Sequence, residues 1–159
     1  MINIPVFDGH NDLLLALWRS NDLEGDSFVF GRKTGHIDLS KCKKGGLVGG
    51  FFAIFVPATS VAPENFWQRY PELLEFKTTK KERKASNNLL NTEPISQSYA
   101  YAATVDMMNI ARQMANKNSG ELEICTNYTE IKSCIDNKKI ALLLHIEGAE
   151  AIGSSLHQL

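Results

Sequence analysis

Three apolar runs constrain what this chain can fold into more than any other feature: Ile4-Pro5-Val6-Phe7, Gly45 to Pro57, and Lys139 to Gly148. The second, Gly45-Gly46-Leu47-Val48-Gly49-Gly50-Phe51-Phe52-Ala53-Ile54-Phe55-Val56-Pro57, is too continuous for a strand with one wet face, and it stops at a proline. Unbroken apolar strands are those covered on both faces, as in parallel sheets flanked by helices. The pairs Gly45-Gly46 and Gly49-Gly50 put glycine where backbones crowd, and they lack the spacing of a phosphate-binding loop. The first run predicts a short buried strand over residues 3–8, and the third a buried strand over 139–148 closed by Gly148. Three such strands, each ending in polar residues, predict an α/β protein with a parallel sheet.

Between the second and third runs lie two helical patterns. Ser96 or Ser98 can cap a helix whose apolar positions Ala103, Met107, Ile110, Ala111 and Met114 keep the three-four spacing, ending near Asn118-Ser119-Gly120. Asn127, with Glu130 three residues on, has the form of a capping box for a short helix bearing Ile131, Cys134 and Ile135 on one face. Residues 58–95, broken by Pro63, Pro71 and Pro94, read as a variable loop or helical insertion. Its run of Lys77, Lys80, Lys81, Arg83 and Lys84 against the single acid Glu82 reads as a solvated face rather than a patch for an anionic partner.

Composition narrows the class. The 159 residues suffice for one domain, and 43% hydrophobic residues, 22% charged residues and a net charge of −1 describe a soluble globular protein. That balance points to neither nucleic acid nor an anionic membrane surface. The first residues carry no basic segment and no long apolar stretch, which predicts neither a signal peptide nor a membrane span, hence a cytoplasmic location. Cys42, Cys125 and Cys134 form an odd set without C-x-x-C spacing, which predicts reduced thiols, with Cys125 and Cys134 packed in a core or helix face.

The polar residues at the strand ends carry the chemistry. His10 and Asp12 follow the first apolar run, and strand alternation predicts that an imidazole nitrogen and a carboxylate oxygen converge on one side, a donor pair suited to zinc or a similar divalent ion. The third run ends His145-Ile146-Glu147-Gly148. Parallel strands present their C-terminal ends at one edge, so Glu147 comes near His10 and Asp12, and a carboxylate there can bridge two ions.

Asp8-Gly9-His10-Asn11-Asp12, then Gly49 to Pro57, then Lys138 to Leu159 with His145-Ile146-Glu147-Gly148-Ala149-Glu150-Ala151-Ile152, together resemble the membrane dipeptidase (renal dipeptidase) family of metallopeptidases, which are amidohydrolase-type (β/α)8 barrels. The resemblance runs through the chain in order and is least close over residues 60–95. It implies a partial (β/α)8 TIM-type barrel of about three strands, with residues 1–159 the N-terminal part of a single hydrolase domain. It implies that His10 and Asp12 hold one metal and that Glu147, also the catalytic carboxylate of this stretch, bridges two zinc ions in the complete enzyme. The implied reaction is hydrolysis of a dipeptide by the bridging water, with the metals polarising the scissile carbonyl. Family members are more than twice as long, and the resemblance assigns to residues 1–159 none of the later histidines or the aspartate that complete the family's site. Alone, the chain is accordingly expected to be poorly stable, to associate with itself or with a complementary C-terminal chain, and to bind metal weakly with little activity.

Other candidates receive plainer readings. His145, in phase with Glu147, reads as a hydrogen-bonded core histidine; Asp8 reads as a possible acceptor behind His10; Glu150 reads as a carboxylate at a helix N-terminus. His36 and His157 read as exposed, and Trp18, Trp67, Phe51 and Phe52 as packing aromatics. Two alternatives stand beside the dipeptidase: a non-catalytic fragment or assembly module that needs a complementary chain, and another amidohydrolase such as a deaminase. The latter is disfavoured because those barrels open on His-x-His where this chain has His10-Asn11-Asp12.

Overall fold

The computed structural model describes residues 4–77 and 94–156; His157 and the basic run beyond Lys77 lie outside them. Four strands, β1 (Val6–Asn11), β2 (Leu47–Phe55), β3 (Leu122–Ile124) and β4 (Ile140–Glu147), form one sheet in the order β1-β2-β4-β3, with every pairing parallel. The expected parallel α/β sheet is present, with one strand more than the three apolar runs predict. β3 is only Leu-Glu-Ile, too short to show a period, and it forms by pairing alongside Ile140, Ala141 and Leu142.

Among the described residues six α-helices connect and cover the strands: α1 (Leu13–Arg19), α2 (Asp26–Phe30), α3 (Leu39–Gly45), α4 (Glu64–Arg69), α5 (Gln97–Lys117) and α6 (Tyr128–Asp136). α5 is the long helix the spacing predicts. Ala103, Met107, Ile110, Ala111 and Met114 are all fully buried, against Leu14, Leu17 and Trp18 of α1 and Phe52, Ile54 and Leu142 of the sheet. Each large apolar side chain so buried contributes about 1.5–3 kcal/mol. α6 starts as its capping residues predict: Asn127 Oδ1 accepts from the Glu130 N–H at 3.0 Å, while the Glu130 carboxylate reaches one residue further back, to the Thr126 N–H at 2.7 Å. Its Cys134 and Ile131 pack with Cys125, Ala141 and Leu143 in a separate small cluster, and the three cysteines are free and buried.

Three expectations about burial need correction, the first being that of β4, which is buried over Ile140–Leu142 and opens toward its end, with Ile146 46% exposed. β1 runs to Asn11 instead of ending near residue 8, and it is a sheet edge, so Val6 and Phe7 remain 45% and 42% exposed. β2 is fully covered on one face only, where Phe52 and Ile54 lie; on the other face Phe51 and Phe55 are 40% and 37% exposed. The reading of Phe51 as a packed aromatic therefore fails, whereas Trp18, Trp67 and Phe52 are buried. Crowding at Gly49 and Gly50 is as predicted: a Cβ on Gly49 would lie 2.8 Å from the Phe7 ring and 2.9 Å from the Ala141 carbonyl, and one on Gly50 would lie 2.8 Å from Asp8 Cβ.

Between β2 and α5, Pro63 caps α4 and Pro71 opens a 3-10 turn over Pro71–Phe76, so the prolines start the local elements. A buried polar knot ties α4 to α1 and α5. Asp106 accepts from Trp18 Nε1 at 3.0 Å, Arg69 at 2.6 Å and Tyr70 Oη at 2.9 Å. Lys77 pairs with Glu64 at 2.8 Å over the Trp67 ring. After β4 the chain proceeds in turns through Leu156, so Glu150 lies in a turn rather than at a helix N-terminus, its carboxylate folded against Gly148. No helix among the described residues is long and apolar enough to cross a membrane.

Candidate metal centre

Parallel pairing carries the ends of β1 and β4 to the same edge of the sheet, on either side of β2: Asn11 pairs in register with Phe52, and Glu147 with Phe55. There His10, Asp12 and Glu147 meet. His10 Nε2 stands 3.5 Å from Asp12 Oδ1 and 3.6 Å from Glu147 Oε2, and one ligand atom of each residue lies within 4.8 Å of the others. Ligand atoms about 2.0–2.2 Å from one tetrahedral zinc stand roughly 3.4 Å apart, so these separations suit a shared ion.

Simple strand alternation is not what brings His10 and Asp12 together. The register of β1 against β2 shifts between Asp8 and Asn11, an irregularity that resets the phase of the strand. Phe7 and His10 consequently share the open face, where Phe7 meets Phe51 and His10 meets His145. Asp8 and Asn11 turn to the other face. Asp12 lies beyond the strand, as the N-cap of α1: its carbonyl accepts from Ala16 N–H at 3.0 Å, while its carboxylate makes no capping bond and is left to face His10.

Asn11, which the sequence reading passed over, holds this corner. It is buried, donates to Asp8 Oδ2 at 3.1 Å and to the Phe51 carbonyl at 3.3 Å, and accepts from the Leu13 N–H at 3.3 Å. One amide thus ties the end of β1 to β2 and to the first turn of α1. The available signal was an Asn two residues before a helical N–H, a position at which Asn side chains commonly bond the backbone. Asp8 does support His10, but through the backbone: its Oδ1 accepts from the His10 N–H at 3.2 Å, not from the imidazole.

His145 is half-buried on the open face rather than a hydrogen-bonded core residue, with its ring perpendicular to those of His10 and Phe51 at 5.8 and 6.2 Å. His36 is exposed, as expected. The side chains of His10, Asp12 and Glu147 are 45%, 58% and 45% exposed, so the cluster opens to one side. Among the described residues, neither Asp12 nor Glu147 is paired with a lysine or arginine. Two uncompensated carboxylates and one imidazole on an open corner form a donor set for a divalent cation, with a coordination position left over for water or substrate.

Comparison with known proteins identifies the family of the chain. The profile of the membrane dipeptidase family (peptidase family M19) matches residues 1–159. An uncharacterized protein of the PQQ-III 3′ region of Acinetobacter calcoaceticus is 35% identical over 153 residues, covering 94% of this chain and 42% of the relative. A solved dipeptidase of family M19 superposes with a TM-score of 0.74 at 31% identity, over 98% of this chain and 38% of its own. A metallopeptidase from Rhodobacter sphaeroides, solved with a phosphinate mimic of the dipeptide L-Ala-D-Ala, superposes with a TM-score of 0.72 at 31% identity, over 98% of this chain and 41% of its own. The chain spans about two fifths of the length of these relatives, and its parallel α/β fold is part of the TIM-type barrel of the M19 dipeptidases. With the family profile matched along its whole length, the chain belongs to the membrane dipeptidase family, peptidase family M19.

Proposed function

We propose that residues 1–159 form the N-terminal part of a single barrel domain that hydrolyses dipeptides, and that they contribute one wall of its metal centre. The observation that carries this reading is the meeting of His10, Asp12 and Glu147 at one sheet edge with the separations of ligands to a common ion. His10 and Asp12 would hold one zinc, with Glu147 the carboxylate that it shares with a second. Bound there, the ions supply Lewis acidity toward a carbonyl oxygen and acidify a water. The chain's own part is to hold the carboxylates unpaired and the corner rigid, through Asn11 and Asp8. The dipeptide mimic bound by the Rhodobacter protein supports a dipeptide as substrate.

A second role, assembly with a complementary chain, draws support from the open face bearing Phe7, Phe51 and Phe55, since half-exposed aromatics in a row favour a packing partner. The experiment that tests the catalytic reading is zinc titration with an L-Ala-D-Ala hydrolysis assay on a complete barrel that contains this chain, comparing the parent with Glu147→Gln and His10→Ala. Both variants should bind zinc at least about 10-fold more weakly and lose hydrolysis. Hydrolysis that survives Glu147→Gln refutes the assignment.

A further inference from the structure

Histidines that ligate a metal usually have their second ring nitrogen held by a carboxylate, a carbonyl or water, which sets the rotation of the ring. Among the described residues, both polar side-chain contacts of His10 run through Nε2, to Asp12 and Glu147, and no hydrogen bond holds Nδ1. What the imidazole does touch is another ring. His10 stands edge-on to His145 at 5.8 Å and 77°, His145 to Phe51 at 6.2 Å and 78°, and Phe51 to Phe7 at 6.0 Å and 78°. Perpendicular rings at these separations are the favoured aromatic geometry, and each fixes the rotation of the next.

We propose that His145 is a positioning residue for the metal centre: the file of rings Phe7, Phe51, His145 and His10 sets the rotation that aims His10 Nε2 at the point shared by Asp12 and Glu147. The inference rests on the metal-centre reading above and adds to it a residue outside the ligand set. β1 and β4 are both neighbours of β2 and therefore roughly 9–10 Å apart. Rings on those two strands can meet only if the strand between presents something small. It does: the residue of β2 in register with His145 is Ala53, fully buried. A larger side chain there would occupy the gap through which His10 reaches His145. The nitrogens of His145 are not among the atoms gathered within 4.8 Å of one another, which separates it from the ligands.

The test uses the intact protein with His145→Phe, His145→Ala and Ala53→Leu. Folding is verified by far-UV circular dichroism, zinc affinity is measured against a chromophoric chelator, and the visible spectrum of the cobalt-loaded protein reports ligand geometry. His145→Phe keeps the ring and should stay within about threefold of the parent, with the same cobalt bands. His145→Ala and Ala53→Leu should each weaken binding by about 10-fold or more and alter those bands. A parent-like His145→Ala, or a His145→Phe as impaired as His145→Ala, overturns the proposal, the latter because it would make the nitrogens rather than the ring the operative group. His10→Ala and Glu147→Gln run alongside: if they too bind zinc like the parent, the metal centre itself is refuted, and if they alone are impaired, only the role of His145 falls.

Discussion

Replacing Asp106 by alanine should cost about 3 kcal/mol of stability, and the knot around it shows why. The carboxylate is 8% exposed and accepts three hydrogen bonds, from a fully buried indole N–H, a guanidinium and a phenol. Each bond to a charged acceptor is worth about 1.5–3 kcal/mol, and removing one partner of a buried pair generally costs about 3–5 kcal/mol. The lower end applies here because the Arg69 side chain keeps 29% of its exposure, bonds with Asn21 and Asn65, and the faces of Phe66 and Tyr70. A loss of that size is a large part of the ~5–15 kcal/mol typical of a domain. Urea unfolding followed by tryptophan fluorescence measures it directly, since the Trp18 indole loses its acceptor. Arg69→Met added to Asp106→Leu should recover part of the loss, because both charges then leave together. An Asp106→Ala midpoint implying less than about 1 kcal/mol would refute the view that this buried carboxylate locks α4 onto α1 and α5.

Acid should weaken the fold through Asp38. The Lys41 ammonium, then the Lys41 and Arg32 N–H groups, hold this carboxyl at about 2 against an ordinary value of 3.8, with burial opposing. The folded state thus binds fewer protons than the unfolded, so the stabilisation is present above pH 4 and is lost as pH falls from about 4 through 2. Asp38→Asn should flatten the stability curve in that window, and an unchanged acid limb would contradict it. The thiols should be inert in the native protein, because burial pushes Cys42 up to about 11, Cys134 up to about 12 and Cys125 upward, leaving almost no thiolate at pH 8. A thiol reagent should label all three only on unfolding; native labelling at the unfolded rate would count against the burial.

Long, regular patterns were legible in the sequence. β2 and β4 were, as continuous apolar runs closed by a proline or a glycine; α5 was, because its apolar positions keep the three-four spacing over 21 residues; and the gathering of His10 with Glu147 was, because parallel strands must share an edge. α1 was hidden, since Leu13 to Trp18 is apolar almost without interruption and shows no polar face to betray a helical turn. α3 was readable in principle from the Asp38 cap and from Gly46, whose φ of 72° ends the helix. The phase of β1 was not readable: a register shift between Asp8 and Asn11 exchanges the faces of the residues after it, and alternation cannot see it. The prediction that His10 and Asp12 converge survives through different physics, with Asp12 placed by a helix start instead of a strand. Asn11 was missed because its role is a set of three hydrogen bonds, which leave no periodic trace.

Asn11 and Asp12 also divide two duties that a single residue often carries at a helix start. The carboxylate of Asp12 does no capping work, and Asn11 satisfies the Leu13 N–H from one position earlier. Position 12 is therefore nearly free of the helix: exchanging Asp12 for another side chain would change the donor set at the corner without removing a capping bond from α1. Position 11 has the opposite character, because its buried amide makes all three bonds of the corner. An engineer seeking a new metal specificity would vary residue 12 and leave residue 11 alone.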